Sequence, residues 1–380
     1  SLGDFTETSG KLPVLILKGS PYEMGLRHGR EARQKIERNL EVYFRRFKNE
    51  TELSREEALQ RASKYLAVIK KQDPAYARAM EGVAEGSSRE LLEIAALNVR
   101  YELMYSQFSK IGPKPIPRTY GCTAFAALPE VVKNGHLLMG QNWDWIPEVE
   151  GLFLKVRNET GPNVLCFTEA GVVGGKIGLN SEGLGLMING LVSDRDDWSR
   201  LRKPFHLRCW EVLRSRTLEQ AMKAVTQGER SCSANFLLGQ QNEHGRGRAV
   251  DIESAPGATC KLGPDRGAIG HTNHFSNPEL LGVQQVLDEE RKSTLHRYGR
   301  IQELLDEKVR SGRKLTVSTA QAMLRDHDGR PESVCRHPNS GFPEDERYKT
   351  VVSVVMDLDN RKLWATMGSP CKNEYQVLKL

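Results

Sequence analysis

Several thiol, carboxylate and amide side chains stand where nucleophilic chemistry on a carbonyl could be done. Cys122 lies in Gly121-Cys122-Thr123, where a loop meets the first strand of a sheet-rich region. A thiol becomes an effective nucleophile once a neighbouring base or charge takes up its proton. Downstream comes Gln141-Asn142-Trp143-Asp144-Trp145, a polar cluster with two tryptophans at a predicted strand end. Asn189 closes another predicted strand, and His271-Thr272-Asn273-His274 and Ser333-Val334-Cys335-Arg336 follow. Each also has a plain structural reading. Free cysteine is among the most buried residue types, and a loop with aromatic anchors needs no substrate. Metal chemistry has less support. The seven cysteines, Cys122, Cys166, Cys209, Cys232, Cys260, Cys335 and Cys371, include no CxxC. That excludes a zinc ribbon or a thioredoxin-type motif. The histidines give no HExxH, and His271 and His274 have no run of carboxylates or thiols beside them to complete a site.

The elements that must carry these groups divide the chain in two. The first 110 residues or so read as mostly helical. A strand over 12–18 precedes Ser20, an N-cap, and Pro21, a first helical residue, and the helix runs through Leu40 toward Phe47. Ser54 with Glu57 opens a second helix on Ala58, Leu59, Ala62, Tyr65, Leu66 and Ile69, which Asp73-Pro74 ends. Ser87 with Glu90 opens a third over 91–105. A Pro-rich connector at 112–117 cannot be helical, and beyond it the apolar period changes to two. Strands are predicted in pairs over 123–128 and 136–142, 152–157 and 163–168, and 176–179 and 184–189. Helices follow over 205–215 and 218–227, then strands over 234–239, 248–252 and 268–272. A charged helix over 288–309, a short one over 318–326 and a hairpin of 351–356 with 362–367 close the chain. Hairpins in series with clustered helices predict α+β packing with antiparallel sheets, not βαβ alternation.

The chain has 380 residues, and 55 basic against 49 acidic residues give a net charge of +6. The basic residues are interspersed with acidic ones, so a nucleic-acid partner is not expected. No apolar run reaches the roughly 18 residues of a membrane span, so no membrane partner is expected either. Ser1-Leu2-Gly3-Asp4 has neither a basic nor an apolar leader region. With scattered cysteines in a large chain, the expectation is a cytoplasmic or otherwise intracellular protein with free thiols.

In order and spacing, the motifs resemble one family across nearly the whole chain. They are Gly19-Ser20-Pro21-Tyr22-Glu23-Met24-Gly25 with His28-Gly29, Leu97-Asn98-Val99-Arg100-Tyr101-Glu102, and Gly121-Cys122-Thr123. Next come Gly140-Gln141-Asn142-Trp143-Asp144, Thr168-Glu169-Ala170-Gly171 and Gly178-Leu179-Asn180-Ser181-Glu182-Gly183, then His271-Thr272-Asn273-His274 and Cys335-Arg336. The chain resembles the acyl-coenzyme A:isopenicillin N acyltransferase group of N-terminal-nucleophile (Ntn) hydrolases, which includes the insect β-alanyl-dopamine hydrolase. The resemblance implies a four-layer αββα sandwich of two antiparallel sheets. It also implies self-cleavage at Gly121–Cys122. Residues 1–121 become the smaller subunit and 122–380 the sheet-rich catalytic part, together one domain.

By the same resemblance Cys122 is the nucleophile and its freed amine the base. An α-amine titrates near ~8, so one residue can supply both functions. Asp144 holds the amine. Asn273 is the preferred oxyanion-hole donor, and Asn189 a second polar contact to the amine or the oxyanion. Arg336 favours the thiolate and holds Asp144. Gln141 stands where bile-salt hydrolases and penicillin V acylases carry arginine, in agreement with the isopenicillin group. Gln141, Trp143 and Trp145 are candidates for a substrate pocket. Glu253 and His271 are candidates to support the site from behind. The substrate is a small-molecule amide or acyl compound, with no metal and no bound cofactor. Coenzyme A enters only as a thioester substrate, and an oligomer is compatible with the sequence. Two other readings are open. One is an uncleaved binding protein on the same scaffold, and the other a papain-type hydrolase with His271 or His274 as base.

Overall fold

The structure is a computed structural model that describes residues 12–108, 121–242, 246–285 and 292–380. The predicted connector at 112–117 lies outside the described residues, as does the start of the helix predicted over 288–309. The N-terminal part comprises β1 (Val14–Lys18), α1 (Pro21–Glu31), α2 (Arg33–Thr51), α3 (Arg55–Gln72), α4 (Pro74–Ser87), α5 (Leu91–Asn98) and α6 (Arg100–Phe108). Ser20 caps α1 through a hydrogen bond from the Glu23 N–H.

The helices are more broken than the apolar period predicts. The one expected over 21–47 divides at Ala32, and the one over 91–105 divides at Val99. The capping box that opens α5 is Glu90 with Glu93, not Ser87 with Glu90. Ser87 instead belongs to α4, which the sequence reading missed. Asp73-Pro74, read as a stop, is also a start. The Asp73 carboxylate accepts the Tyr76 N–H at 3.0 Å, and Pro74 takes the first helical position. Gly82 and Gly86 weaken the helix signal of α4 for a reason in the packing. A Cβ on Gly82 would strike the Tyr22 carbonyl, and one on Gly25 the Ala79 carbonyl. α1 and α4 therefore meet backbone to backbone.

The sheets hold β2 (Gly121–Ala127), β3 (Leu138–Trp145), β4 (Gly151–Arg157), β5 (Val164–Glu169), β6 (Lys176–Asn180), β7 (Leu184–Gly190), β8 (Ala234–Gln240), β9 (Arg248–Ala255), β10 (Ala258–Leu262), β11 (Ala268–His271), β12 (Lys349–Asp357), β13 (Lys362–Met367) and β14 (Gln376–Lys379). Among the described residues the first sheet has the order β1-β4-β5-β6-β7-β8-β9-β10 and the second β11-β2-β3-β12-β13-β14. β2 and β3 face β7 and β8 across the interior. α7 (Phe205–Leu213) and α8 (Leu218–Thr226) cover the first sheet, while α10 (Lys292–Arg310) and α11 (Val317–Leu324) cover the second. The short α9 (Pro278–Leu281) lies against β10. The result is the expected αββα sandwich. With both faces covered, β2, β3, β5, β6 and β7 are buried along their whole length. One pairing departs from the antiparallel expectation: β1 runs parallel to β4. The two are joined through most of the helical part, so no tight hairpin dictates their direction. No helix among the described residues is long and apolar enough to cross a membrane.

Candidate active site

The site begins with strand register. β2 and β3 pair so that Gly121 lies opposite Asp144, Cys122 opposite Trp143 and Thr123 opposite Asn142. On the other side of β3, Thr350 of β12 lies opposite Asp144, and a bulge follows before Val352. Bulges re-aim side chains next to functional sites. Here the Thr350 hydroxyl donates to Asp144 Oδ1 at 2.7 Å. Asp144 Oδ2 has no hydrogen-bond partner among the described residues. It lies against Gly121: a Cβ there would be 2.9 Å from Oδ2 and 2.5 Å from Arg336 Nη1. Glycine is therefore the residue that lets a carboxylate and a guanidinium close on the peptide before Cys122.

Arg336 arrives from the loop before β12. Its N–H donates to Thr350 Oγ1 at 2.9 Å, and its Nη2 pairs with Glu332 at 2.6 Å. Its Nη1 and Nε are buried without hydrogen-bond partners among the described residues. Burial pushes Asp144 up to about 6, against the pull of Arg297 and Arg336.

The backbone of Cys122 is gripped on both sides. Its N–H donates to Asn273 Oδ1 at 2.7 Å. Its carbonyl accepts from Arg297 Nη1 at 2.6 Å and from Asn189 Nδ2 at 3.4 Å. Arg297 Nη2 also donates to Asn273 Oδ1, at 3.1 Å. Two donors converge on that atom, so it must be the amide oxygen. The Asn273 amide nitrogen is given to the Gly190 carbonyl at 3.1 Å. In the intact chain Asn273 thus presents an acceptor to the nitrogen of Cys122, while the expected donor half points elsewhere. The Cys122 thiol is fully buried. Burial and Asp144 push it up to about 11, against Arg297 and hydrogen bonds from Gly190 and Asn273.

Arg297 escaped the sequence reading, and it, not Arg336, is the guanidinium bonded to Cys122. One sequence signal marks it. Ile301 and Leu305, four and eight residues on, are buried on the same face of α10, so Arg297 is an arginine on an apolar stripe.

A polar network stands behind Asn189. Its Oδ1 accepts from Asn235, which also donates to Asp251 at 2.7 Å. His271 bonds Glu253 at 2.7 Å through Nε2 and the Thr272 carbonyl at 2.8 Å through Nδ1. Burial opposes its charge, but Asp251 and Glu253 outweigh it and raise its pKa. His274 Nδ1 faces Thr294 Oγ1 at 2.9 Å. Both His271 nitrogens are therefore engaged with Glu253 and the Thr272 carbonyl, so His271 is not free to serve Cys122 as a base.

A narrow cavity adjoins Cys122. Trp143, Trp145, Tyr105 and Phe205 line it, together with the cations Arg100 and Lys176. The Lys176 ammonium lies 4.2 Å from the Trp143 ring centre, and the Arg100 guanidinium 4.7 Å from that of Trp145. Both cations pair with buried Glu169, at 2.6 Å and 2.5 Å. Gln141 is not in this lining. Its oxygen accepts the Ile188 N–H at 2.9 Å and its nitrogen donates to the Ile188 carbonyl, so it bolts β3 to β7. The structure thus brings Cys122, Asp144, Asn189, Asn273, Arg336, Trp143 and Trp145 together, and sets Gln141 in the sheet interface.

A family model described as acyl-coenzyme A:6-aminopenicillanic acid acyl-transferase matches residues 131–372. The 40 kDa form of acyl-coenzyme A:6-aminopenicillanic-acid-acyltransferase from Emericella nidulans is 30% identical over 361 residues, 93% of this chain and 92% of that protein. Among solved structures the chain is similar to the Caenorhabditis elegans ortholog of N-acylethanolamine-hydrolyzing acid amidase, at 16% identity and a TM-score of 0.44, over 62% of this chain and 93% of that one. It is also similar to a variant of conjugated bile acid hydrolase from Clostridium perfringens, at 13% identity and a TM-score of 0.47, over 68% of this chain and 97% of that one. The matched stretch contains Asp144, Asn189, Asn273, Arg297 and Arg336, and the Emericella relative aligns along almost the full length, so the chain belongs to the acyl-coenzyme A:6-aminopenicillanic acid acyl-transferase family.

Proposed function

We propose that this acyltransferase-family protein is a self-processing amidohydrolase or acyltransferase with Cys122 as its N-terminal nucleophile. The observation that carries the reading is the placement of the Gly121–Cys122 peptide. Asp144 and Arg336 close on Gly121, and Asn273 Oδ1 holds the Cys122 nitrogen at 2.7 Å. In the first step the Cys122 sulfur bonds to the Gly121 carbonyl carbon. The C–N bond breaks and the thiol proton passes to the leaving nitrogen. Water then hydrolyses the thioester, which frees the Gly121 carboxylate and restores the thiol. The new amine stays beside Asn273 Oδ1, titrates near ~8 and serves as base to the sulfur. Positioning of this kind, not strong intrinsic acidity, starts the reaction, because the thiol is neutral at pH 7 in the intact chain.

The mature site would act on a small-molecule amide or thioester. The Cys122 sulfur takes the acyl group, the amine or thiol leaves with a proton, and water or a second amine receives the acyl group. The aromatic lining suits a flat or apolar acyl portion. Coenzyme A would enter as an acyl donor. Intact-mass measurement tests the reading. It should find two fragments, of 121 and 380 − 121 = 259 residues, with the larger starting at Cys122. Cys122→Ala should stay whole with an unchanged fold. A wild-type chain that stays whole through prolonged incubation would instead favour an uncleaved binding protein. Exposure of the mature protein to a mixed amide library, followed by weighing of the acyl-Cys122 adduct, would name the substrate.

A further inference from the structure

Outside the active site, one cluster combines ligand types that seldom gather by chance. His327 follows α11, Cys335 and His337 flank Arg336 in the loop before β12, and Cys371 lies in the turn between β13 and β14. Their ligating atoms all lie within 4.8 Å of one another. His337 Nε2 is 3.1 Å from His327 Nε2, 3.5 Å from Cys335 Sγ and 3.4 Å from Cys371 Sγ. A ring nitrogen has one proton or one lone pair, so it can make one of those three contacts as a hydrogen bond. The other two are at van der Waals separation, and the four donor atoms have no common partner among the described residues.

A tetrahedral metal supplies one. Zinc–nitrogen bonds of about 2.0–2.1 Å and zinc–sulfur bonds of about 2.3 Å give tetrahedron edges of about 3.3–3.4 Å between nitrogens and about 3.6 Å between nitrogen and sulfur. The three measured edges lie close to those values. We propose that His327, Cys335, His337 and Cys371 form a structural zinc site of the Cys2His2 type.

Its surroundings fit a closed site. Cys335 and His337 are buried, and both cysteines are free thiols. The Arg325 guanidinium donates to the Pro370 carbonyl at 2.9 Å and ties the two limbs together. Arg300 pairs with Asp326 through two contacts of 2.8 Å and anchors the first limb to α10. The ion would pin the backbone on both sides of Arg336, whose guanidinium closes on Gly121. The sequence conceals the site, because seven, one and 33 residues separate the successive ligands and no short motif results.

The proposal is independent of the acyl chemistry, and its test reads metal. Full-length protein, purified without chelator, should carry about one zinc per chain. After zinc is exchanged for cobalt(II), it should show thiolate-to-cobalt charge transfer and the strong visible bands of tetrahedral cobalt. Cys371→Ser, at a partly exposed position, should keep the fold by circular dichroism and lose cobalt affinity by at least about tenfold. His327→Ala should do the same. A wild-type chain that takes up neither ion, a Cys335–Cys371 disulfide in the freshly purified protein, or undiminished cobalt binding by folded Cys371→Ser would each overturn the proposal.

Discussion

Asp144 has two oxygens with different duties. Oδ1 takes the Thr350 hydroxyl, while Oδ2 faces the Gly121 backbone and Arg336. Burial raises this carboxyl to about 6, so it is protonated below that pH and ionised above it. If the ionised form supports self-cleavage, the cleavage rate should rise through about pH 6 and level off. The Thr350 hydrogen bond lowers the Asp144 pKa. Thr350→Val should therefore shift the rise to higher pH, by roughly the pKa equivalent of one hydrogen bond of about 1 kcal/mol. A pH profile of fragment release checks both, and an unshifted profile would assign the titration to another group. Arg297 gives a second prediction at this scale. Its planar fork holds the Cys122 carbonyl and Asn273 Oδ1 together. Lysine keeps the charge but not the fork, so Arg297→Lys should slow cleavage by at least about tenfold while the protein stays folded. Equal rates in a time course on denaturing gels would remove Arg297 from the site.

At the scale of elements, α1 shows how a helix can be specified by what it touches. Its glycines admit the backbone of α4, and its buried His28 accepts the Gly171 N–H at 3.0 Å just beyond β5. Burial lowers His28 from 6.5 to about 4. The sign follows from linkage. A histidine held neutral in the fold contributes its full stabilisation above its unfolded pKa of 6.5. It loses that contribution as the pH falls toward 4 and below. The loss is about 3 kcal/mol at most. Urea unfolding at pH 7.5 and pH 4.5 should show the decline, and His28→Gln should make it shallower. Gly25→Ala should destabilise at any pH by about 1–3 kcal/mol, because the added carbon meets a carbonyl that cannot move alone. An unchanged urea midpoint would mean that α1 and α4 separate more readily than their packing implies.

For the whole molecule, the helical part and the sheets are not independent. β1 pairs with β4 along the edge of the first sheet, and α6 lends Arg100, Tyr101 and Tyr105 to the cavity beside Cys122. Tyr101 stacks on Tyr105 at 3.9 Å and on Phe205 at 4.1 Å, which joins α6 to α7. Scission before Cys122 would therefore leave two fragments that migrate as one particle in native gel filtration and separate only in denaturant. Residues 122–380 expressed alone should lack the cavity wall and show no turnover. Active 122–380 protein would show that α6 is dispensable.

What could be read along the chain was local. Ser20 and Ser54 cap helices because a side-chain oxygen meets a nearby backbone N–H, and that pairing needs no distant partner. The same holds for the change from helical to alternating period near residue 121, and for the order of motifs that marks the family. The two facing sheets, the division of α1 from α2, and the existence of α4 depended on contacts between segments far apart in sequence. So did the roles of individual polar residues. Arg297 is one arginine among many until α10 turns it toward Cys122, and Gln141 looks like a pocket residue until β7 takes both ends of its amide. The gathering of His327, Cys335 and His337 with Cys371 lies in no window of sequence. Caps and periods are set by neighbours within a turn or two, whereas a buried charge or ligand acquires its role from whatever the closed chain brings against it.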